Sequence, residues 1–131
     1  MATASLNTPK KEVITGRDNI VIVNYIDGIR GGRTLDVTGF TPEVIHAGHL
    51  VIKTQDGDYA PMPVNAAGTE YAALPAGASY AGYVVASILK ERPFAGIMVR
   101  GTINPKATPF DMASILDDVK KALPLIDYQE D

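Results

Sequence analysis

Few residues in this chain have the types that chemistry uses, and their spacing decides what each can do. His46 and His49 are its two histidines, three apart around Ala47-Gly48. An i, i+3 pair on a helix can share a metal ion, but a zinc site needs further His, Cys or carboxylate ligands. Gly48 between them predicts a turn instead of a helix, so they read as polar residues flanking a turn, with no metal assigned. The run Gly77-Ala78-Ser79-Tyr80-Ala81-Gly82 approaches a nucleophile elbow. Its second glycine falls one place late for G-x-S-x-G, and no helical pattern follows. Arg30-Gly31-Gly32-Arg33 lacks both the Walker spacing and the Lys-Ser/Thr of a phosphate loop; it predicts a hairpin turn ahead of a strand over 33–38. Tyr25, Tyr59, Tyr71, Tyr80 and Tyr83 offer a stacking surface for a small carbohydrate- or ligand-binding β module, a reading weakened by the absence of Trp. His46, His49 and Ser79 fail as catalytic groups on spacing and missing partners. The expectation is a chain with no catalytic residue and no cofactor.

Composition bounds the remaining classes. At 131 residues the chain is most simply one domain, and 46% apolar residues make a core feasible. Twelve glycines and nine prolines favour many turns and few long helices. A formal net charge of -3 argues against a nucleic-acid partner, whose footprint is a basic face. With no cysteine there is neither a disulfide framework nor thiol chemistry, which fits assembly in a reducing cytoplasm. The leading residues lack an apolar segment of signal-peptide length, and no run approaches the ~20 residues of a membrane span.

The elements that must position these groups are mostly strands. Residues 81–89 are apolar on both faces, with Tyr83, Val85 and Leu89 on one and Val84, Ala86 and Ile88 on the other. That pattern suits a strand covered on both sides. Lys90-Glu91-Arg92-Pro93 interrupts it. Over 95–103, Ala95, Ile97, Val99, Gly101 and Ile103 share one face, the pattern of a strand with one strongly buried side. The two runs read as a central hairpin. Residues 13–29 are strand-like around Ile20-Val21-Ile22-Val23, and 41–45 predict one helical turn capped by Thr41. Residues 50–53 predict a strand and 54–58 a turn around Asp56-Gly57. The two close prolines of 59–63 take that segment out of the sheet. The Ala/Gly/Pro-rich stretch 64–79 is a long loop of the kind that carries function or contacts. Met112, Ile115, Leu116, Val119 and Leu123 form one apolar stripe, predicting a helix over 110–123 that packs under the sheet. Residues 125–128 suit a closing edge strand. Residues 1–12 read as a flexible N-terminal arm and 13–131 as a single domain, mainly β with one C-terminal helix.

Residues 46–128 resemble the head decoration and head fibre family of tailed phages, the lambda-type decoration proteins nearest among them. The matching pieces are GHLVIKTQDGDY at 48–59, GYVVASIL at 82–89, AGIMVRGTIN at 95–104, the helix at 112–123 and the strand at 125–128. Their order is shared, and V-R-G-x-I/V-N at 99–104 is the most particular phrase. The resemblance implies a small β-barrel or β-tulip-like fold and a homotrimer on the outer surface of an expanded icosahedral head. There it would brace the major capsid protein against the pressure of packaged DNA. The partners implied are the major capsid protein, sister subunits and another head protein docked on top, with no nucleic acid and no membrane. The implied location is the virion surface, reached from the bacterial host cytoplasm.

Family members extend capsid-protein strands with an N-terminal arm, which here falls on residues 1–12 and on Leu6, Pro9, Lys10 and Lys11. Tyr71, Leu74, Pro75 and Tyr80 are the candidate subunit or capsid contacts on the body of the protein. Two departures stand out. Residues 13–45 form a β-rich segment longer than the lambda-type proteins have, and no repetitive distal region follows, so the base domain of a head fibre would lack its fibre.

Overall fold

Strands form where β-branched and aromatic residues cluster, and turns where glycine or proline intervenes. The computed structural model describes residues 15–130. Along them run α1 (Asp18–Val21), β1 (Ile22–Gly28), β2 (Arg33–Thr34), β3 (Val44–Ile45), β4 (Leu50–Lys53) and β5 (Tyr59–Pro61). β6 (Ser79–Val84), β7 (Ile88–Leu89), β8 (Phe94–Ala95), β9 (Ile97–Ile103), α2 (Leu116–Ala122) and β10 (Ile126–Tyr128) follow. The chain is mainly β with one C-terminal helix, as its sequence predicts. The main sheet has the order β1-β9-β6-β4-β5, with β10 added parallel to β9. It runs from β1 to β5 without joining them, so the barrel closure expected with this fold class is not seen among the described residues.

β9 organises the sheet. β1 lies antiparallel along one of its edges. The other edge is shared: β6 takes Ile97 and Met98, and β10 takes Gly101 through Ile103. Each face of the sheet has its own core. Leu50, Ile52, Tyr83 and Met98 point into one with Met112, Ile115, Val119 and Leu123. Their strand neighbours Val51, Val84 and Ile97 point into the other with Leu35, Phe40 and Ile45. This alternation is the period of a pleated strand buried on both faces.

The single strongly buried face expected over 95–103 is therefore a correction. Ile97 and Ile103 pack in opposite cores although six residues apart. The reason is a bulge: Asp27 pairs with Arg100 and Gly28 with Met98, so Val99 is passed over and the alternation flips. Gly101 follows the bulge with φ +156°. A Cβ there would run into the Asn24 carbonyl of β1, so glycine lets the two backbones approach.

Other boundaries move for reasons that lie far off in sequence. The strand predicted over 81–89 breaks after Val84, because Ser87 turns aside to bond Asp18 and Ala47. β7 then leaves the main sheet to pair with β3. Val44 and Ile45 are thus in a strand, and the helical turn predicted over 41–45 is absent. The central hairpin survives only as the β6–β9 pairing, with β7 and β8 inserted between. The strand read through Ile20–Val23 begins at Ile22. Before it, α1 is held by Ile20 and Val21 N–H groups donating to the Arg17 carbonyl.

Gly31 and Gly32 make the predicted turn at φ +78° and +68°, but β2 ends at Thr34 and pairs with β8 in a separate sheet instead of returning along β1. Asp36 accepts from Thr38 N–H and Oγ1–H, which curls the chain away at that point. The Asp56-Gly57 turn closes as expected, with Gly57 at φ +91°. The segment after it stays in the sheet, since β5 is an edge strand, where Pro61 is tolerated.

The helix is also shorter than predicted. Its stripe is core as expected, but α2 starts at Leu116. Residues 110–115 are diverted because Asp111 bridges to Glu70, takes Tyr71 N–H on its carbonyl and takes Ala113 N–H on its carboxylate. β10 closes the chain where the final strand was expected, paired parallel to β9.

Candidate functional site

His49 is fully buried, which corrects its reading as a polar residue beside a turn. Gly48 does make the turn, at φ +83°, with His49 N–H donating to the His46 carbonyl at 3.1 Å. The His49 ring then passes inward, where Phe40, Tyr71 and Phe110 meet it edge-on at centroid distances of 5.3, 5.2 and 5.6 Å. Its Nε2 lies 3.0 Å from the Met62 carbonyl. A carbonyl can only accept, so the neutral ring carries its proton on Nε2 and leaves Nδ1 without a partner. Burial holds its pKa down to about 4, against the opposing Met62 bond and with a smaller push from His46. His49 is an aromatic core residue. Among the described residues no group of three or more His, Cys, Asp or Glu could hold a metal ion.

The other groups are engaged in structure as well. Ser79 opens β6 on the surface, in register with Lys53, at the opposite end of β4 from His49. The Arg33 guanidinium bonds the carbonyls of Gly32 and Arg30 and lies 5.7 Å from the Tyr59 ring centroid. It pins the glycine turn from within. A cleft of about 270 Å³ lies between Arg17, Val21, His46 and Pro109. The Asp18 carboxylate at its rim is already bound by Ser87 N–H at 3.0 Å and by Ser87 Oγ–H at 2.8 Å.

The tyrosines do not form a common surface. Tyr83 is buried, and its hydroxyl sits 2.9 Å from that of Tyr128. Tyr71 is buried too, its hydroxyl accepting Leu50 N–H at 3.1 Å. Desolvation raises the pKa of both phenols. The stacking surface is thereby lost, and Tyr71 offers a partner nothing in this fold. Leu74 and Tyr80 are half-buried against the first core, and Pro75 is exposed. Leu6, Pro9, Lys10 and Lys11 lie outside the described residues.

The surface that stands out is β1, in the segment whose sequence reads as strand-like. Ile20, Val23, Tyr25 and Ile26 are 45% to 56% exposed. Every residue of β1 between its two ends is exposed. Val23 and Ile26 fall at shifts in the register with β9, so both are bulged out of the ladder. Asp27 is the one ionisable acid or base in the strand besides the Tyr25 phenol, and its carboxylate accepts Gly28 N–H at 2.9 Å. An apolar, nearly uncharged edge strand is a protein-contact surface in waiting.

Among the described residues no helix is long and apolar enough to cross a membrane. No protein family, curated protein or solved structure matches this chain.

Proposed function

We propose that the chain is a capsid decoration protein, which binds the outer surface of a major-capsid lattice and stiffens the shell against internal DNA pressure. The observation that carries this reading is the spatial arrangement of the segments that resemble the decoration family. The β4–β5 hairpin, β6, β9 and β10 lie in one sheet, and α2 packs on its face. Residues 15–45, the addition to that pattern, supply the flanking strand β1 and, with Leu35, Phe40 and Ile45, part of the second core.

The physics suits such a role. A lattice repeats one site many times, and a homotrimer presents three copies of each contact. Weak single contacts then combine through effective concentration, by roughly 10²–10⁴. A specific interface would bury on the order of 1,000 Å² in total. The arm with Leu6, Pro9, Lys10 and Lys11, together with Pro75 and the outward parts of Leu74 and Tyr80, would supply part of it.

The test is co-sedimentation of the purified protein with DNA-free expanded heads stripped of their own decoration protein. Saturable binding and a higher temperature of head disruption are expected. Protein that stays in the supernatant at micromolar concentrations overturns the proposal.

A further inference from the structure

Asp27-Gly28 and Asp56-Gly57 are the two Asp-Gly pairs of the chain, which has no Asn-Gly. In such a pair the second residue has no Cβ to shield its amide nitrogen from the aspartate side chain. We propose that Asp27 is a site of spontaneous modification, where the chain isomerises to an isoaspartyl linkage and thereby releases the end of β1 from β9. Asp56 is spared. The inference does not rest on the capsid reading.

At Asp27 the reacting groups are already together. Gly28 N–H donates to the Asp27 carboxylate at 2.9 Å, which puts the carboxyl carbon one bond beyond an atom in contact with the nitrogen. Ile29 N–H, next along, donates to the Ile97 carbonyl. Adjacent positions of an antiparallel ladder alternate between bonded and unbonded, so Gly28 N–H faces away from β9 and has no ladder bond to give up. Asp27 is exposed, with a register shift on either side, so regular pairing does not lock its peptide. Two groups held at contact need only a short rotation to react. Asp56 and Gly57 are exposed too, but their turn is closed by backbone bonds. Gly57 N–H donates to the Thr54 carbonyl at 2.9 Å, and Thr54 N–H to the Asp58 carbonyl at 2.8 Å. There the attack has to break the turn first.

In the step itself the Gly28 nitrogen gives its proton to solvent and attacks Cγ of Asp27, with the carboxyl group in its acid form. A C–N bond forms and the carboxyl hydroxyl leaves, taking up a proton as water, to close a five-membered succinimide. Water then adds to one of the two ring carbonyls, so no other reactant is consumed. Opening at Cγ restores aspartate. Opening at the main-chain carbonyl breaks its bond to the Gly28 nitrogen and leaves the chain running through Cβ and Cγ. The backbone is then one carbon longer between Asp27 and Gly28. Gly28 has no slack to absorb it: a Cβ there would lie 2.6 Å from the Ile97 carbonyl oxygen and would strike the Tyr25 hydroxyl. The bond from Ile29 to Ile97 and the register of Gly28 with Met98 are therefore lost.

The full chain is incubated for several weeks at physiological temperature, once folded in buffer and once unfolded in guanidinium chloride, and then digested with trypsin. Electron-transfer fragmentation, which cuts the Cα–Cβ bond that isoaspartate places in the backbone, locates the linkage in peptides 18–30 and 54–90. The denatured chain gives the intrinsic ratio of the two sites. In the folded protein the ratio of isoaspartate at Asp27 to that at Asp56 should rise at least several-fold. Asp27→Glu, whose longer side chain would have to close a six-membered ring, should abolish the signal in 18–30 and leave that in 54–90 unchanged, with circular dichroism checking that the variant is folded. In the isomerised protein the amides of β1 should exchange faster than in the unmodified one. A folded ratio no higher than the unfolded one overturns the proposal. So does isoaspartate that persists in 18–30 of Asp27→Glu, or an isomerised form whose β1 amides exchange no faster than before. No capsid enters the experiment, so its failure is distinct from failure to bind heads.

Discussion

Acid should weaken this protein through His49 before most of its carboxylates titrate. The ring is fully buried among Phe40, Tyr71 and Phe110, and its pKa is held down to about 4. In the unfolded chain a histidine titrates near the ordinary ~6.5. Between those two values the unfolded state binds more protons than the native one, so stability falls as the pH falls. The contribution is fully present above about pH 6.5 and is lost progressively down to about pH 4, below which it no longer changes. A shift of this size corresponds to about 3 kcal/mol, a large part of the stability of a small domain.

The assay is urea denaturation of the wild type and of His49→Phe at intervals from pH 7.5 to 4.5. At pH 7.5 the variant strands the buried Met62 carbonyl, at a cost of about 1–3 kcal/mol, and gains a slightly larger ring in a tight site. Its stability should then stay nearly level down to pH 5, where the wild type has already fallen by about 2 kcal/mol. Parallel losses in the two proteins over pH 6.5–5 would refute the reasoning. A His49 Cε1–H resonance that titrates near pH 6.5 in the folded protein would refute it equally.

Three substitutions test the rest of the frame by the same urea assay. Tyr71→Phe strands the buried Leu50 N–H and should cost about 1–3 kcal/mol, whereas Tyr83→Phe, whose partner Tyr128 is only partly buried, should cost about 1 kcal/mol; equal losses would contradict the burial difference. Gly101→Ala presses a Cβ onto the Asn24 carbonyl and should cost about 1–3 kcal/mol, with hydrogen exchange rising first in β1. Met98→Ala opens a cavity in the fully buried first core and should cost about 2–5 kcal/mol; a loss under 1 kcal/mol would place Met98 outside it.

What the sequence made legible was what neighbouring residues decide. The Asp56-Gly57 turn, the Gly31-Gly32 turn and the apolar stripe of α2 are local signals, and all three are present. What it hid depends on residues far apart. The strand over 81–89 is broken by the tie between Ser87 and Asp18, 69 residues away. The helix loses its predicted start over 110–115 to the pairing of Asp111 with Glu70. His49 is hydrophilic by type, and only Phe40, Tyr71 and Phe110, drawn from three separate segments, make its site apolar. The β1 surface was missed for the opposite reason. Ile20 through Ile26 is apolar enough to be core, and exposure is settled by whether another segment covers the strand.

We propose that this β-rich protein sits on the outside of a capsid and holds its neighbours in place. Cryo-EM reconstruction of expanded heads incubated with the purified chain tests it most directly. Added density is expected on the outer surface, at local three-fold positions, into which the β9-centred sheet and α2 fit. An outer surface unchanged from that of bare heads, at saturating protein, would contradict it.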